Sequence, residues 1–454
     1  MPDRPNVLLM IADDHRFDAL SSAGNPVVQT PVLDRLAASG VAFRRAHMMG
    51  GMVGAVCVPS RASLMTGANV LRASSSSAVD DLPSAQCLNP SLATLPETFR
   101  GAGYHTHAIG KWHNDRASFA KGFCGGAELF FQGMGDHWHL PVQDFDPTGE
   151  YPESARRGAS TFSTELFSDA ATRFLHDYQD DAPFFLYVAF TAPHDPRVAP
   201  PDYAAMYDPA SLPLPPNFLP EHPFDNGELA VRDEKLAPWP RTPEVIRQHI
   251  ADYYAMISHL DAHIGRVLAA LQQSGHADDT IVVYTADHGL AVGQHGLMGK
   301  QNLYEHSVRI PLIISGPGVP AGRENSALTW LADLYPTLCE LTGLAVPPSV
   351  EAESLMPLTN GERDQVRDRV FALYKDTQRM VSDGTWKLIR YYRSRDGQAG
   401  TAHHQLFNLA DDPWETNDLG TTPAQHDRVE QMTKELADWQ RHIGDPLAGQ
   451  TPRA

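Results

Sequence analysis

Four apolar stretches of this 454-residue chain each end in groups that titrate or carry charge. "VLLMIADDH" ends in Asp13 and Asp14, and "THAIGKWHN" in Lys111 and His113. "FFLYVAFTAPHDPR" ends in His194, Asp195 and Arg197, and "IVVYTADHG" in Asp287 and His288. Asp13, Asp14 and Asp287 are hard oxygen donors that suit Ca2+ or Mg2+ better than Zn2+. His288 adds an imidazole as a further candidate ligand. Lys111, Lys300 and Arg61 are fixed cations of the kind that hold a tetrahedral oxyanion, and Arg61 can donate in bidentate fashion. His113 and His194 can move protons near neutral pH. Cys57 stands in "VCVPSRASLMTG", two residues before Pro59 and four before Arg61. From the residues alone it reads two ways: a thiolate activated by Arg61 and a helix N-terminus, or a small buried hydrophobe.

These groups act together only if the fold gathers them. The apolar runs 7–12, 106–109, 184–190, 281–285 and 310–315 are continuous rather than alternating, the pattern of parallel strands covered on both faces. Helical patterns lie between them. "TPVLDRLAASG" offers Thr30 as N-cap, Pro31 at the first helical position and Gly40 just past the end, and 243–275 is the longest helical pattern, closed by Gly275. This alternation predicts an α/β fold with a mainly parallel central sheet sandwiched by helices. In such a sheet the C-terminal strand ends face one crevice, where ligands bind. Four charged endings therefore predict one shared site. Residues 196–223, dense in proline, read as an ordered surface excursion that also carries Tyr203, Tyr207 and Phe218. From about 366, β-rich pieces separated by Asp-Gly turns predict a smaller antiparallel unit. The expected organisation is a catalytic domain over 1–365 and a C-terminal subdomain with an antiparallel sheet and a terminal helix over 366–454.

The net charge of -19 argues against a nucleic-acid partner and demands a local basic pocket for any anionic substrate. Four scattered cysteines, Cys57, Cys87, Cys124 and Cys339, form no CxxC pair, which argues against a structural zinc site and a disulfide scaffold. No apolar leader precedes Val7 and no run is long enough to span a membrane. The sequence as it stands predicts a cytoplasmic protein without a membrane partner; a longer natural chain would allow a periplasmic or secreted one.

The run C-V-P-S-R-A-S-L-M-T-G resembles the signature of the type I sulfatases of the alkaline-phosphatase-like superfamily. In that family the cysteine of C-x-P-x-R is oxidised after translation to Cα-formylglycine. The resemblance extends along nearly the whole chain, through "PNVLLMIADDHR", "GKWHN", "TAPHDP", "ADHGLAVGQHGLMGKQNLYEHSVRIPLIISGPG" and "LFNLADDPWETNDL". It implies an alkaline-phosphatase-like fold and a Ca2+ ion, with Mg2+ or Mn2+ as alternatives, held by Asp13, Asp14, Cys57 as formylglycine, Asp287 and His288. The last position is often asparagine in relatives. It also implies a formylglycine-generating maturation enzyme as a partner, reading Pro59 and Arg61 before folding. The implied catalytic set is Cys57, Arg61, Lys111, His113, His194 and Lys300. A hydroxyl of the hydrated aldehyde attacks sulfur, His194 protonates the leaving alcohol and Lys300 neutralises the sulfate. His113 then helps the second hydroxyl expel sulfate, while Arg61 and Lys111 hold the diol and the sulfate oxygens.

The same resemblance points to a sulfated mono- or oligosaccharide of the iduronate or ulvan type. His137, with Trp138 and His139 beside it, and His295 and Gln301 are candidate sugar contacts, and His15 and Arg197 could meet a uronate carboxylate. Two alternatives stand beside it. One is a phosphonate monoester or phosphodiester hydrolase of the same superfamily. The other is a non-catalytic binder of sulfated glycans whose Cys57 stays a thiol.

Overall fold

The computed structural model describes residues 4–76 and 86–450. Eight strands form the main sheet: β1 (Asn6–Ala12), β2 (Gly40–Phe43), β3 (His105–Lys111), β4 (Gly125–Phe130), β5 (Phe184–Ala189), β6 (Thr280–Ala286), β7 (Leu312–Ser315) and β8 (Arg323–Asn325). Their order across the sheet is β8-β2-β7-β6-β1-β5-β3-β4. Every residue of β1, β5 and β6 is buried, which is why their sequences do not alternate. The α/β class and the mainly parallel sheet agree with expectation.

Register matters more for function than strand order. Ala12 lies opposite Ala286, Ile11 opposite Ala189, and Ala189 opposite Gly110. Four neighbouring parallel strands therefore end level with one another. The residues that follow, Asp13, Asp287 and Lys111, emerge side by side at one edge.

Only β7 runs against its neighbours, pairing antiparallel with β6 and β2. The run 310–315 is thus not the single parallel strand expected. Pro311 divides it: Arg309–Ile310 pairs antiparallel with Ala46–His47 in a separate small sheet, and Leu312–Ser315 enters the main one. A parallel return after β6 would need a long crossover. The intervening chain instead forms site loops, with only the four-residue helix Glu305–Val308. Gly40 lies just past the end of the helix Pro31–Ala38, as expected, and is also the first residue of β2, where a Cβ would lie 2.1 Å from the Ile314 carbonyl oxygen. The helix Pro31–Ala38 ahead of it takes its N-terminal cap from elsewhere. Backbone N–H groups of Val32 and Leu33 donate to the Asp261 carboxylate at 3.0 and 2.8 Å, while the Thr30 side chain makes no cap bond.

Asp261 belongs to the longest helix, Pro243–Gln273, which packs against Ser163–Asp177 and receives the proline-rich excursion. There Tyr207 is buried, its hydroxyl 2.6 Å from Ser258 Oγ. The second sheet joins Val370–Tyr374, Gln378–Ser382, Trp386–Tyr391 and His403–Asn408 in an antiparallel meander. The terminal helix His426–Ile443 covers it, with Trp439 stacked on Phe371 at 4.8 Å between centroids. A fifth strand comes from far upstream: Gly50–Gly51 pairs parallel with Val370–Tyr374. Backbone pairing therefore crosses the division expected near residue 366. Among the described residues no helix is long and apolar enough to cross a membrane.

Candidate active site

Cys57 opens the helix Cys57–Thr66, every residue of which is buried. Its neighbours in that helix tie it to the strand ends. Ser60 Oγ donates to the Asp287 carbonyl at 2.5 Å, and Arg61 Nε donates to Asp287 Oδ2 at 2.9 Å. Arg61 Nη1 reaches the Lys111 carbonyl at 2.9 Å and the Tyr187 hydroxyl at 3.1 Å. The helix end is closed by Gly67 at φ 63°, whose N–H donates to Ser63 O. Residue 57 is thereby fixed over the level ends of β1 and β6, facing a cavity of 510 Å³.

Beneath Cys57 the charges pair closely. Lys111 Nζ donates to Asp13 Oδ2 and to the Gly133 carbonyl, and Lys300 Nζ donates to Asp14 Oδ1 at 2.9 Å while lying 3.5 Å from Cys57 Sγ. The Nδ1–H of His288 donates to the Gly289 carbonyl at 3.0 Å, which leaves Nε2 facing Cys57 Sγ at 3.1 Å. Two overlapping sets, Asp13–Asp14–Cys57–His194 and Asp13–Cys57–Asp287–His288, offer donor atoms within 4.8 Å of one another. Among the described residues, nothing hydrogen-bonds the buried Asp13 Oδ1. An oxygen-rich set with an unsatisfied buried carboxylate oxygen fits a divalent metal ion. Asp14 and His113 hold positive φ angles of 70° and 54°, conformations that non-glycine residues keep only where the surroundings impose them.

Burial alone would raise the Asp13 pKa, but Lys111, His194, Arg61 and Lys300 outweigh it and hold the carboxyl well below the usual range. Burial works to lower that of Lys300, and Asp14, Cys57 and Asp233 reverse it and raise it well above the ordinary lysine value. Burial, then the Lys111 charge, hold His113 well below the ordinary histidine value, so its ring is neutral at pH 7. Burial and the Asp13 charge push the Cys57 thiol up, against the opposing Lys111 and Lys300 charges, which speaks against an activated thiolate. His194 is anchored through Nδ1–H to the Asp195 carbonyl at 2.7 Å, and Arg232 clamps the Asp195 carboxylate at 2.6 and 2.8 Å.

The sulfatase family model matches residues 5–344, and the model of the N-sulphoglucosamine sulphohydrolase C-terminal region matches 293–442. The chain belongs to the sulfatase family. An N-acetylglucosamine-6-O-sulfatase of Bacteroides thetaiotaomicron is 26% identical, over 97% of this chain and 87% of that protein. A sulfatase of Formosa agariphila is 30% identical, over 90% and 82%. A structure solved with its substrate D-glucosamine-2-N,6-O-disulfate superposes with a TM-score of 0.80 at 24% identity, covering 98% of this chain and 99% of that one. A phosphonate monoester hydrolase of Silicibacter pomeroyi superposes with a TM-score of 0.73 at 25% identity, covering 97% and 96%. The enzyme is thus a sulfuric ester hydrolase, and the binder reading falls away.

The sulfatase cavity is lined by Cys57, His113, His194, Lys300 and Gln301, all anticipated from sequence. Arg61, Lys111, Asp13, Asp14, Asp287 and His288 gather below residue 57 rather than in the cavity wall. Four expected sugar contacts lie elsewhere, each committed internally. His15 takes the Tyr284 hydroxyl and donates to Ala19 O, and His137 donates through Nε2–H to His194 O. Arg197 donates to His249 Nδ1 and Met298 O, while His295 accepts from Asn217 and stacks on Tyr304 at 3.9 Å. Sequence reasoning missed Arg116, Arg156, Glu153, Arg232 and Asp233, which line the cavity from loops and short helices. Only Arg116, three residues after His113 in "GKWHNDR", continued a motif that could have flagged it.

Proposed function

We propose that the enzyme hydrolyses a sulfate ester on a carbohydrate, with residue 57 as formylglycine and Ca2+ held by Asp13, Asp14, Asp287 and His288. The carrying observation is the place of Cys57, between the metal-binding set and the cavity, with His288 Nε2 at 3.1 Å and Lys300 Nζ at 3.5 Å. When present, the metal ion and the formylglycine supply an acidified hydroxyl nucleophile and a route for its later release. The remaining chemistry falls to the protein's side chains. Lys300 lines the cavity beside residue 57, and its charge meets the sulfate oxygens. His194, with Nδ1–H fixed on a carbonyl, presents Nε2 as the atom that carries a proton to the leaving alcohol. His113 lines the same cavity as a neutral base. Arg61 and Lys111 act as positioning groups, holding Asp287 and Asp13.

The outer cavity joins Phe131 and Met134 to Asn114, Gln132, Arg116 and Arg156. Apolar surface for a ring face, with amide and guanidinium donors around it, suits a sugar bearing a second anionic substituent. A formylglycine-generating enzyme is the implied maturation partner. The test uses protein co-expressed with such an enzyme and screened for sulfate release from defined sulfated mono- and disaccharides, with phenyl phosphonate assayed alongside. Release from sulfated sugars, abolished in Cys57→Ala, is expected. Turnover by Cys57→Ala, or phosphonate cleavage faster by orders of magnitude, overturns the proposal.

A further inference from the structure

Among the proposed metal ligands only Asp14, at φ 70°, has a left-handed backbone. Side chains other than glycine leave that conformation when nothing holds them in it. The chain bends at Asp13 and Asp14 as it leaves β1, and a bend takes backbone groups away from their ladder partners. Inside a protein each such group needs another partner. The Asp13 N–H donates to the Ala192 carbonyl at 3.2 Å, and the Asp14 N–H to Asp287 Oδ1 at 3.3 Å.

On the far side of the bend, the Asp14 carbonyl and the Arg16 N–H meet one side chain. The Tyr253 hydroxyl donates to the Asp14 carbonyl at 2.6 Å and accepts the Arg16 N–H at 2.9 Å. A phenol offers one proton and acceptor lone pairs, so both bonds are made at once. Tyr253 is buried and stands on Pro243–Gln273, so the clamp is carried by an element outside the turn. Tyr254, next to it, is directed elsewhere and accepts from Asn25 Nδ2 at 3.0 Å. The backbone that Tyr253 holds carries a carboxylate with two tasks. Asp14 Oδ1 accepts from Lys300 Nζ at 2.9 Å, and the same side chain offers a donor atom to the set Asp13–Asp14–Cys57–His194.

We infer that Tyr253 is a positioning residue for the metal ion, its hydroxyl locking Asp14 in the left-handed conformation so that the carboxylate is aimed before the ion arrives. The inference rests on the reading of Asp14 as a metal ligand. Phenylalanine at 253 keeps the ring in the core and removes only the hydroxyl. The Asp14 carbonyl and the Arg16 N–H then lose their partner, the backbone relaxes toward negative φ, and the carboxylate turns away from the donor atoms it shares with Asp13. Groups that orient metal ligands from behind contribute about ten- to a hundredfold in affinity.

The test titrates Ca2+ by calorimetry into the full chain freed of metal by chelator, as parent, Tyr253→Phe and Tyr254→Phe. Tyr253→Phe should bind Ca2+ at least about tenfold more weakly, while Tyr254→Phe, which removes a hydroxyl from the same helix turn without touching Asp14, should keep the parent affinity. A merely structural hydroxyl would lower the melting temperature in chelator and leave Ca2+ affinity alone. Hydrogen exchange of the parent protein in chelator carries the test if Tyr253→Phe does not fold: the amides of Asp14 and Arg16 should be protected before any ion is added. No Ca2+ binding by the parent protein removes the metal reading and this inference with it. Equal affinity in the parent and Tyr253→Phe, or fast exchange of those amides in chelator, overturns this inference alone.

Discussion

Arg61 and Asp287 form an ion pair at 2.9 Å with side chains 1% and 0% exposed, directly under the proposed nucleophile. Replacing Arg61 with Met leaves the Asp287 carboxylate buried without its countercharge, a loss of about 3–5 kcal/mol. Replacing it with Lys keeps the charge but cannot also reach the Lys111 carbonyl and the Tyr187 hydroxyl. Two bonds at about 1 kcal/mol net each make that loss about 2 kcal/mol. Native stabilities run to about 5–15 kcal/mol, so both differences are measurable by urea unfolding in the presence of chelator. Adding Ca2+ should narrow the gap. The Met site carries one more uncompensated negative charge than the parent, so the ion replaces part of the missing guanidinium charge. An ion at a hundredfold its dissociation constant adds about 2.7 kcal/mol to whatever binds it. The reasoning fails if Arg61→Met is no less stable than Arg61→Lys in chelator, or if Ca2+ leaves their difference unchanged.

Gly110 sits at φ 83°, one residue before Lys111, and a Cβ there would stand 2.1 Å from the Ala189 carbonyl oxygen. Gly110→Ala should lose about 1–2 kcal/mol from the left-handed backbone alone, and more from the forced separation of β3 and β5. Its melting temperature and turnover should fall together, and parental values for both would refute this. Lys387, buried between Glu305 at 3.0 Å and Glu415 at 2.9 Å, predicts a pH dependence of stability. Burial raises the Glu415 carboxyl, Lys387 opposes this and Glu305 adds to it, leaving it pushed up to about 7. The folded state thus keeps a proton that the unfolded chain releases above about 4.3. Stability should fall as pH rises from there to about 7 and level off beyond. The loss is on the order of 3 kcal/mol. Glu415→Gln should remove that slope in urea titrations at pH 5 and pH 8, and an unchanged slope would count against the assignment.

The gathering of the site was legible because parallel strands of similar length deliver their next residues to one edge. Asp13, Lys111 and Asp287 needed nothing more than apolar runs ending in charge. Direction was less legible: nothing in Leu312–Ser315 distinguishes a buried antiparallel strand from a parallel one, and only the short chain between β6 and β7 decides it. Four of the five expected sugar contacts lie away from the cavity for a different reason. A histidine's letter does not say which nitrogens are already spent, and His15 and His137 have both committed. Arg156 and Arg232 were invisible because loops bring them to the cavity, with no strand end to announce them.

The pairing of Gly50 with Leu373 sets an order of events during synthesis. The strand just ahead of Cys57 has no partner until about 320 further residues have left the ribosome. At about 5–20 residues per second this is roughly 15–65 s. Throughout that interval the C-V-P-S-R segment lacks its neighbouring sheet, so an enzyme that acts on the unfolded motif has a kinetic window to reach it. Under the maturation proposed for Cys57, a sequence change that sped docking of the C-terminal meander would lower the fraction of molecules converted, and the defect would show as partial occupancy of an aldehyde in intact-mass spectra.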